Sequence, residues 1–139
     1  MKPILILHGA KTGGSARWAK DAVKVLSNAG LDARVVGLLD YAPEELSTEH
    51  TVLICLNSPV DGEKFWDRVS QQPLDLLRLR YSICALGRAR RKSFFSTSPG
   101  FHTAFERHGA RCFNRRVECH DRSPVSWLAW IDTVLTRLK

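Results

Sequence analysis

The chain has 139 residues, 21 Lys+Arg against 14 Asp+Glu, a formal charge of +7 and 44% hydrophobic content, enough for one domain that buries about 68% of its unfolded surface. No uncharged apolar run approaches the roughly 20 residues that span a bilayer, and Pro3 to Leu7 is too short for a signal-peptide core, so membrane insertion and secretion are not expected. Ordinary Gly, Pro and aromatic content excludes collagen-like and disordered classes. In chain order, Pro3 to Leu7 reads as a first strand, stopping at His8-Gly9 and passing into Lys11-Thr-Gly-Gly-Ser15. Trp18, Ala22, Val25, Leu26 and Ala29 recur at helical spacing, and Gly30 closes that helix. Ala33 to Leu39 is a second strand, residues 41–46 a loop or single helical turn, and Thr51 to Leu56 a third strand, apolar on consecutive positions as in a sheet covered on both faces. Glu63 to Val69 begins a helix after Asp61-Gly62, and Tyr81 to Leu86 is a fourth strand ending in Gly87. A helix from Pro99 to Arg107 is closed by Gly109, and Cys112 to Cys119 is a fifth strand. Ser123-Pro124 opens the last helix, with Trp127, Leu128, Ile131, Val134, Leu135 and Leu138 as its apolar stripe.

Alternating strands and helices imply right-handed crossovers, and the expected fold class is α/β: a three-layer sandwich around a five-stranded parallel sheet of order 2-1-3-4-5, one domain over residues 1–139. In that order a ligand crevice lies outside the carboxyl ends of strands 1 and 3. Three loops therefore matter, at residues 8–15, 57–62 and 87–95. The first opens a helix, so backbone N–H groups and the positive end of the helix dipole converge there. Thr12 and Ser15 add hydroxyls, and Gly13 and Gly14 let the main chain wrap an anion closely. The spacing matches neither a Walker loop nor the GxGxxG dinucleotide pattern, and an ordinary strand-to-helix turn is the alternative.

Strand, Thr12-Gly-Gly-Ser-Ala16 loop, helix, then Leu86-Gly87 and a helix ending in Gly109-Ala110, resembles the flavodoxin superfamily. In particular it resembles short-chain flavodoxins of the MioC type and the FMN domains of diflavin reductases, and Ser126-Trp-Leu-Ala-Trp130 is similar to the family's terminal W-L helix. The resemblance implies an FMN cofactor and one-electron transfer by a carrier rather than a conventional enzyme. It implies that Ala10, Lys11, Thr12, Gly13, Gly14 and Ser15 hold the phosphate, with Asn57, Ser58, Gly87, Arg88 and Arg91 flanking the ring.

The chain departs from that pattern where the ring sits. Asn57-Ser-Pro-Val-Asp-Gly62 is several residues shorter than the family's third-strand loop and has no aromatic group. Arg91 stands where the family has a stacking Tyr, and Arg88 where it has Asp, Asn or Ser; a guanidinium plane stacks on aromatic faces. Flavodoxins are acidic around the flavin, whereas Arg88, Arg90 and Arg91 would favour an anionic reduced ring by Coulomb attraction. Residues 78–122 carry eleven Lys/Arg and three Asp/Glu, a net of +8 against +7 for the whole chain. Such a field suits a redox partner or an acidic protein surface. A second reading is therefore a flavodoxin-like chain that has lost FMN and serves as a protein-binding module or subunit. Nucleic acid is a weaker third, because Phe101 and Phe105 have core rather than stacking spacing.

Cysteines 55, 84, 112 and 119 form no CxxC pair and no zinc spacing, so no metal is expected, and unframed thiols suit a reducing cytoplasm. His8 ends the first strand at the mouth of the crevice, where a structural role and a proton donor's role are both open. Trp18 and Trp66 read as core, and His120-Asp121 as a solvated turn.

Overall fold

A computed structural model of the chain describes residues 3–9, 14–56, 59–87, 103–114, 117–120 and 124–138. The elements are β1 (Ile4–His8), α1 (Gly14–Asn28), β2 (Ala33–Gly37), 3₁₀ turns at Leu38–Asp40 and Pro43–Thr48, β3 (Thr51–Leu56), α2 (Pro59–Ser70), β4 (Arg80–Gly87), a helical turn α3 at residues 103–107, β5 (Arg111–Cys112), β6 (Val117–His120) and α4 (Pro124–Leu138). All strand pairings are parallel, in the order β2-β1-β3-β4, with β5 and β6 both on the outer side of β4. The expected 2-1-3-4-5 order is the observed one.

The central strands are apolar on successive residues because both of their faces are covered. Leu5, Ile6 and Leu7 of β1 and Val52, Leu53, Ile54 and Cys55 of β3 have no exposed surface. At about 1.5–3 kcal/mol per fully buried aliphatic side chain, these two strands supply much of the favourable burial. Two further expected core thiols and rings, Cys84 and Phe105, are fully buried as well. Right-handed crossovers that run in opposite directions from β1 and β3 put α1 and α2 on opposite faces. The last helix, α4, returns to the α1 face, where Trp127 packs on Trp18. On the other face, His108 Nε2 donates to the Val69 carbonyl at 2.9 Å, tying the turn after α3 to α2.

Four expectations need correction. The second strand stops at Gly37 rather than Leu39, because the chain turns into a 3₁₀ helix that buries Leu38 and leaves Leu39 49% exposed. The third-strand loop was expected to run to Gly62, but α2 already starts at Pro59, whose fixed φ and missing N–H suit a first helical position. The fifth strand is not continuous over residues 112–119: from Tyr81 to Cys84 β4 advances three residues while its neighbour advances five, from Cys112 to Val117. This excursion interrupts pairing at a sheet edge, a recognised means of blunting an edge strand. In α4 the fully buried ring is Trp130, and Leu128, expected in the stripe, is 50% exposed.

Candidate functional site

The site is built by where strands end. β1, β3, β4 and β6 finish in register along one edge: His8 opposite Cys55, Leu56 opposite Ala85, and Gly87 opposite His120. Beyond β1 the ladder gains one more rung, since the Gly9 N–H donates to the Cys55 carbonyl at 3.1 Å. The seam between β1 and β3 is thus closed up to the point where strand order reverses. Connections leave this point to opposite faces, which opens a crevice between them.

Beyond this rung, α1 begins at Gly14, five residues after Gly9. Its sheet-facing side carries Ala16, Ala19 and Ala22, all buried, followed by Leu26. Methyl-sized groups let the helix axis approach the strands closely. The first turn of a helix has N–H groups without intrahelical partners and the positive end of the dipole, an arrangement that favours an anion. The helix stops at Gly30, whose φ of 82° satisfies the left-handed closing turn.

Of the eleven sequence-expected site residues, Gly14 and Ser15 form the first turn of α1 and Gly87 ends β4. Ala10, Lys11, Thr12, Gly13, Asn57, Ser58, Arg88 and Arg91 lie outside the described residues. The described strand ends next to them in sequence, Gly9, Leu56 and Gly87, lie along one edge of one sheet.

His8 is half-buried at this edge, and β2 makes room for it. A Cβ placed on Gly37, its register partner, would lie 3.7 Å from His8 Cε1 and 3.2 Å from Asp40 Oδ2. The imidazole and a carboxylate therefore flank the same glycine. Asp40 is a neighbour that sequence reading did not pair with His8, because the 3₁₀ turn that delivers it lies where a longer strand was expected.

Trp18 and Trp127 both fall within the first five residues of their helices, with ring centroids 5.5 Å apart and planes inclined at 50°. Trp18 is half-buried, as a core role requires only in part, while Trp127 is 4% exposed. Its indole Nε1 is buried with no hydrogen-bond partner among the described residues. An unsatisfied buried donor costs about 1–3 kcal/mol, so this one calls for an explanation. Periodicity marked Trp127 as an apolar stripe residue and said nothing of its N–H; the matching early position of Trp18 in α1 was the available signal.

The other polar clusters lie away from this edge. Buried Glu49 pairs with Arg34 and accepts a hydrogen bond from Tyr41 Oη at 2.9 Å, close to the amino ends of β2 and β3. Burial, reinforced by that hydrogen bond, pushes the Tyr41 phenol above its usual range. Burial also raises Tyr81 and the Cys112 thiol, which keeps Cys112 protonated and a poor nucleophile near neutral pH. Arg80 donates from Nε to Thr51 Oγ1 at 2.9 Å, and its guanidinium lies 5.4 Å from the Phe113 ring centroid, again at the amino edge. No helix among the described residues is long and apolar enough to cross a membrane.

No protein-family profile matches the chain. In an alignment 140 positions long that covers 95% of the chain, it is 29% identical to NADPH oxidoreductase A of Dictyostelium discoideum. In an alignment 137 positions long that covers 91% of the chain, it is 27% identical to the sulfite reductase [NADPH] flavoprotein alpha-component of Bacillus subtilis. The chain spans less than a quarter of the length of these curated relatives, 22% and 23%. Among solved structures, a flavodoxin of Streptococcus pneumoniae superposes with a TM-score of 0.83 at 15% identity, covering 99% of this chain and 97% of that one. The chain has the flavodoxin fold, and the resemblance to the flavodoxin superfamily and to flavoprotein components of NADPH-dependent reductases runs along nearly its whole length.

Proposed function

We propose that this flavodoxin-fold chain binds FMN at the reversal of its sheet and carries single electrons between the flavin and a redox partner protein. The observation that carries the reading is that α1 starts at Gly14, five residues beyond the last rung of the β1–β3 ladder, where the Gly9 N–H donates to the Cys55 carbonyl. A helix N-terminus at a strand-order reversal is suited to a phosphate dianion. The amides and hydroxyls of Ala10 to Ser15 would hold that phosphate, with Lys11 adding charge. Asn57, Ser58, Gly87, Arg88 and Arg91 would flank the ring. FMN supplies the one-electron chemistry when bound; the protein orients it and sets its electrostatics.

Two features of the described residues bear on the fit. At the phosphate end, the first turn of a helix such as α1 has N–H groups without intrahelical partners, and the Trp127 indole is a buried donor with no partner among the described residues. At the ring end, the chain leaves β3 at Leu56 and enters α2 at Pro59, so only two residues connect the strand to the helix. By analogy with the much longer reductases it matches, the chain would receive electrons from an NADPH-oxidising flavoprotein and pass them on. A reducing, cytoplasmic setting agrees with its unframed cysteines.

Titration of the purified protein into FMN tests this. Binding quenches flavin fluorescence at micromolar protein, and a yellow protein as purified gives the same answer by absorption. Free flavin emission unaltered by excess protein rejects the reading. The two-residue connection between β3 and α2 favours the second reading, a protein-binding module without flavin, and a colourless chain that ignores FMN is its expected signature.

A further inference from the structure

We infer that the Trp127 indole N–H is a donor to the phosphate of the bound ligand, reaching the site from α4 rather than from any of the three strand-end loops. The inference rests on the FMN reading above and adds a residue that neither the loop positions nor the apolar periodicity nominate.

Three observations lead to it. The donor is orphaned: Trp127 is 4% exposed and its Nε1 has no partner among the described residues, whereas the other buried indole of α4, on Trp130, donates to Ser82 Oγ at 2.9 Å. The same helix therefore satisfies one indole within the protein and leaves the other unsatisfied. The donor is also correctly placed. Trp127 is the fourth residue of α4 and packs on Trp18, the fifth residue of α1, so its ring meets α1 near that helix's amino-terminal end. Finally, helical side chains lean toward the helix N-terminus. Both helices start from the carboxyl edge of the sheet, so the Trp127 ring leans toward the strand ends and the anion-favouring pole. A phosphate oxygen there would accept from the indole, and a charge-assisted hydrogen bond would relieve the buried donor.

The test uses the intact chain with three probes: FMN, riboflavin, which lacks the phosphate, and inorganic phosphate. The protein has four tryptophans, and the Trp127→Phe variant identifies the Trp127 indole N–H signal in ¹H–¹⁵N spectra while keeping an aromatic ring against Trp18. Phosphate and FMN are expected to move that signal downfield, and riboflavin to leave it in place. Trp127→Phe is expected to weaken FMN binding roughly tenfold and to leave riboflavin binding unchanged. The inference is overturned if wild-type protein binds FMN while the Trp127 signal stays put, or if Trp127→Phe binds FMN as tightly as wild type. Should wild-type protein bind neither FMN nor phosphate, the FMN reading itself fails and the inference falls with it, an outcome visible before any variant is made.

Discussion

Trp130 of α4 donates its indole N–H to Ser82 Oγ of β4 at 2.9 Å, and that hydroxyl donates in turn to the Asn114 carbonyl at 3.1 Å. The relay joins the last helix, the fourth strand and the interruption in the fifth, and all three residues are buried. Asn114 has a second donor in the Cys112 thiol, also at 3.1 Å, whereas Trp130 has Ser82.

Ser82→Ala should therefore act mainly by stranding the Trp130 N–H. The expected loss is about 1–3 kcal/mol of unfolding free energy, the penalty of one buried unpaired donor. Removing that donor as well, with Trp130→Phe, should recover part of the loss in the double variant. Denaturant midpoints of the two single variants and the double variant measure this, and purely additive losses would contradict the relay.

Gly109 and Gly30 both have positive φ, 97° and 82°, but their surroundings differ. A Cβ on Gly109 would meet Leu77 Cδ2 at 2.8 Å, while one on Gly30 meets nothing within 4 Å. Gly30→Ala is expected to cost only left-handed backbone strain, about 1–2 kcal/mol, and Gly109→Ala more. Because Leu77 is 76% exposed, Leu77→Ser should be nearly neutral alone and should restore the excess in Gly109→Ala. Thermal or chemical denaturation of the four proteins checks the order.

The chain has two tyrosines, Tyr41 and Tyr81, and burial is the leading cause that raises both phenols above the ordinary value. A group whose folded pKa is raised contributes its stability below the unfolded value, near pH 10, and loses it as pH climbs from there toward the folded value. Stability should accordingly fall above about pH 10. Tyrosinate absorbance should rise together with the loss of helical circular dichroism, and ionisation well ahead of unfolding would contradict the burial of both rings.

Arg88, Arg90 and Arg91 follow β4 in the sequence, and Arg88 and Arg91 are among the residues proposed to flank the flavin ring. Replacing the three by Gln should lower the reduction potential of the FMN-loaded protein. One partly buried charge contact is worth on the order of 1 kcal/mol, equivalent to roughly 40 mV for one electron. Spectroelectrochemical titration of both proteins reads this directly. An unchanged or higher potential in the variant would place those charges away from the flavin.

The sheet and its order were legible because their causes are local. Buried parallel strands must be apolar on every residue, as Val52 to Cys55 are, helices must show a repeating stripe, and parallel neighbours require right-handed crossovers. The strand-to-helix junction was legible for the same reason: β1 ends at His8 and α1 opens at Gly14, within the glycine-bearing stretch that follows the first apolar run. What sequence could not settle was pairing at a distance. Whether Pro59 opened a helix or sat in a loop depended on the space left between β3 and α2. The break in the fifth strand depended on register against β4, and the meeting of Trp18 with Trp127 on two helices landing on one face. These are outcomes of packing among segments far apart in the chain, where many local conformations are nearly equal in energy and only the assembled core chooses between them.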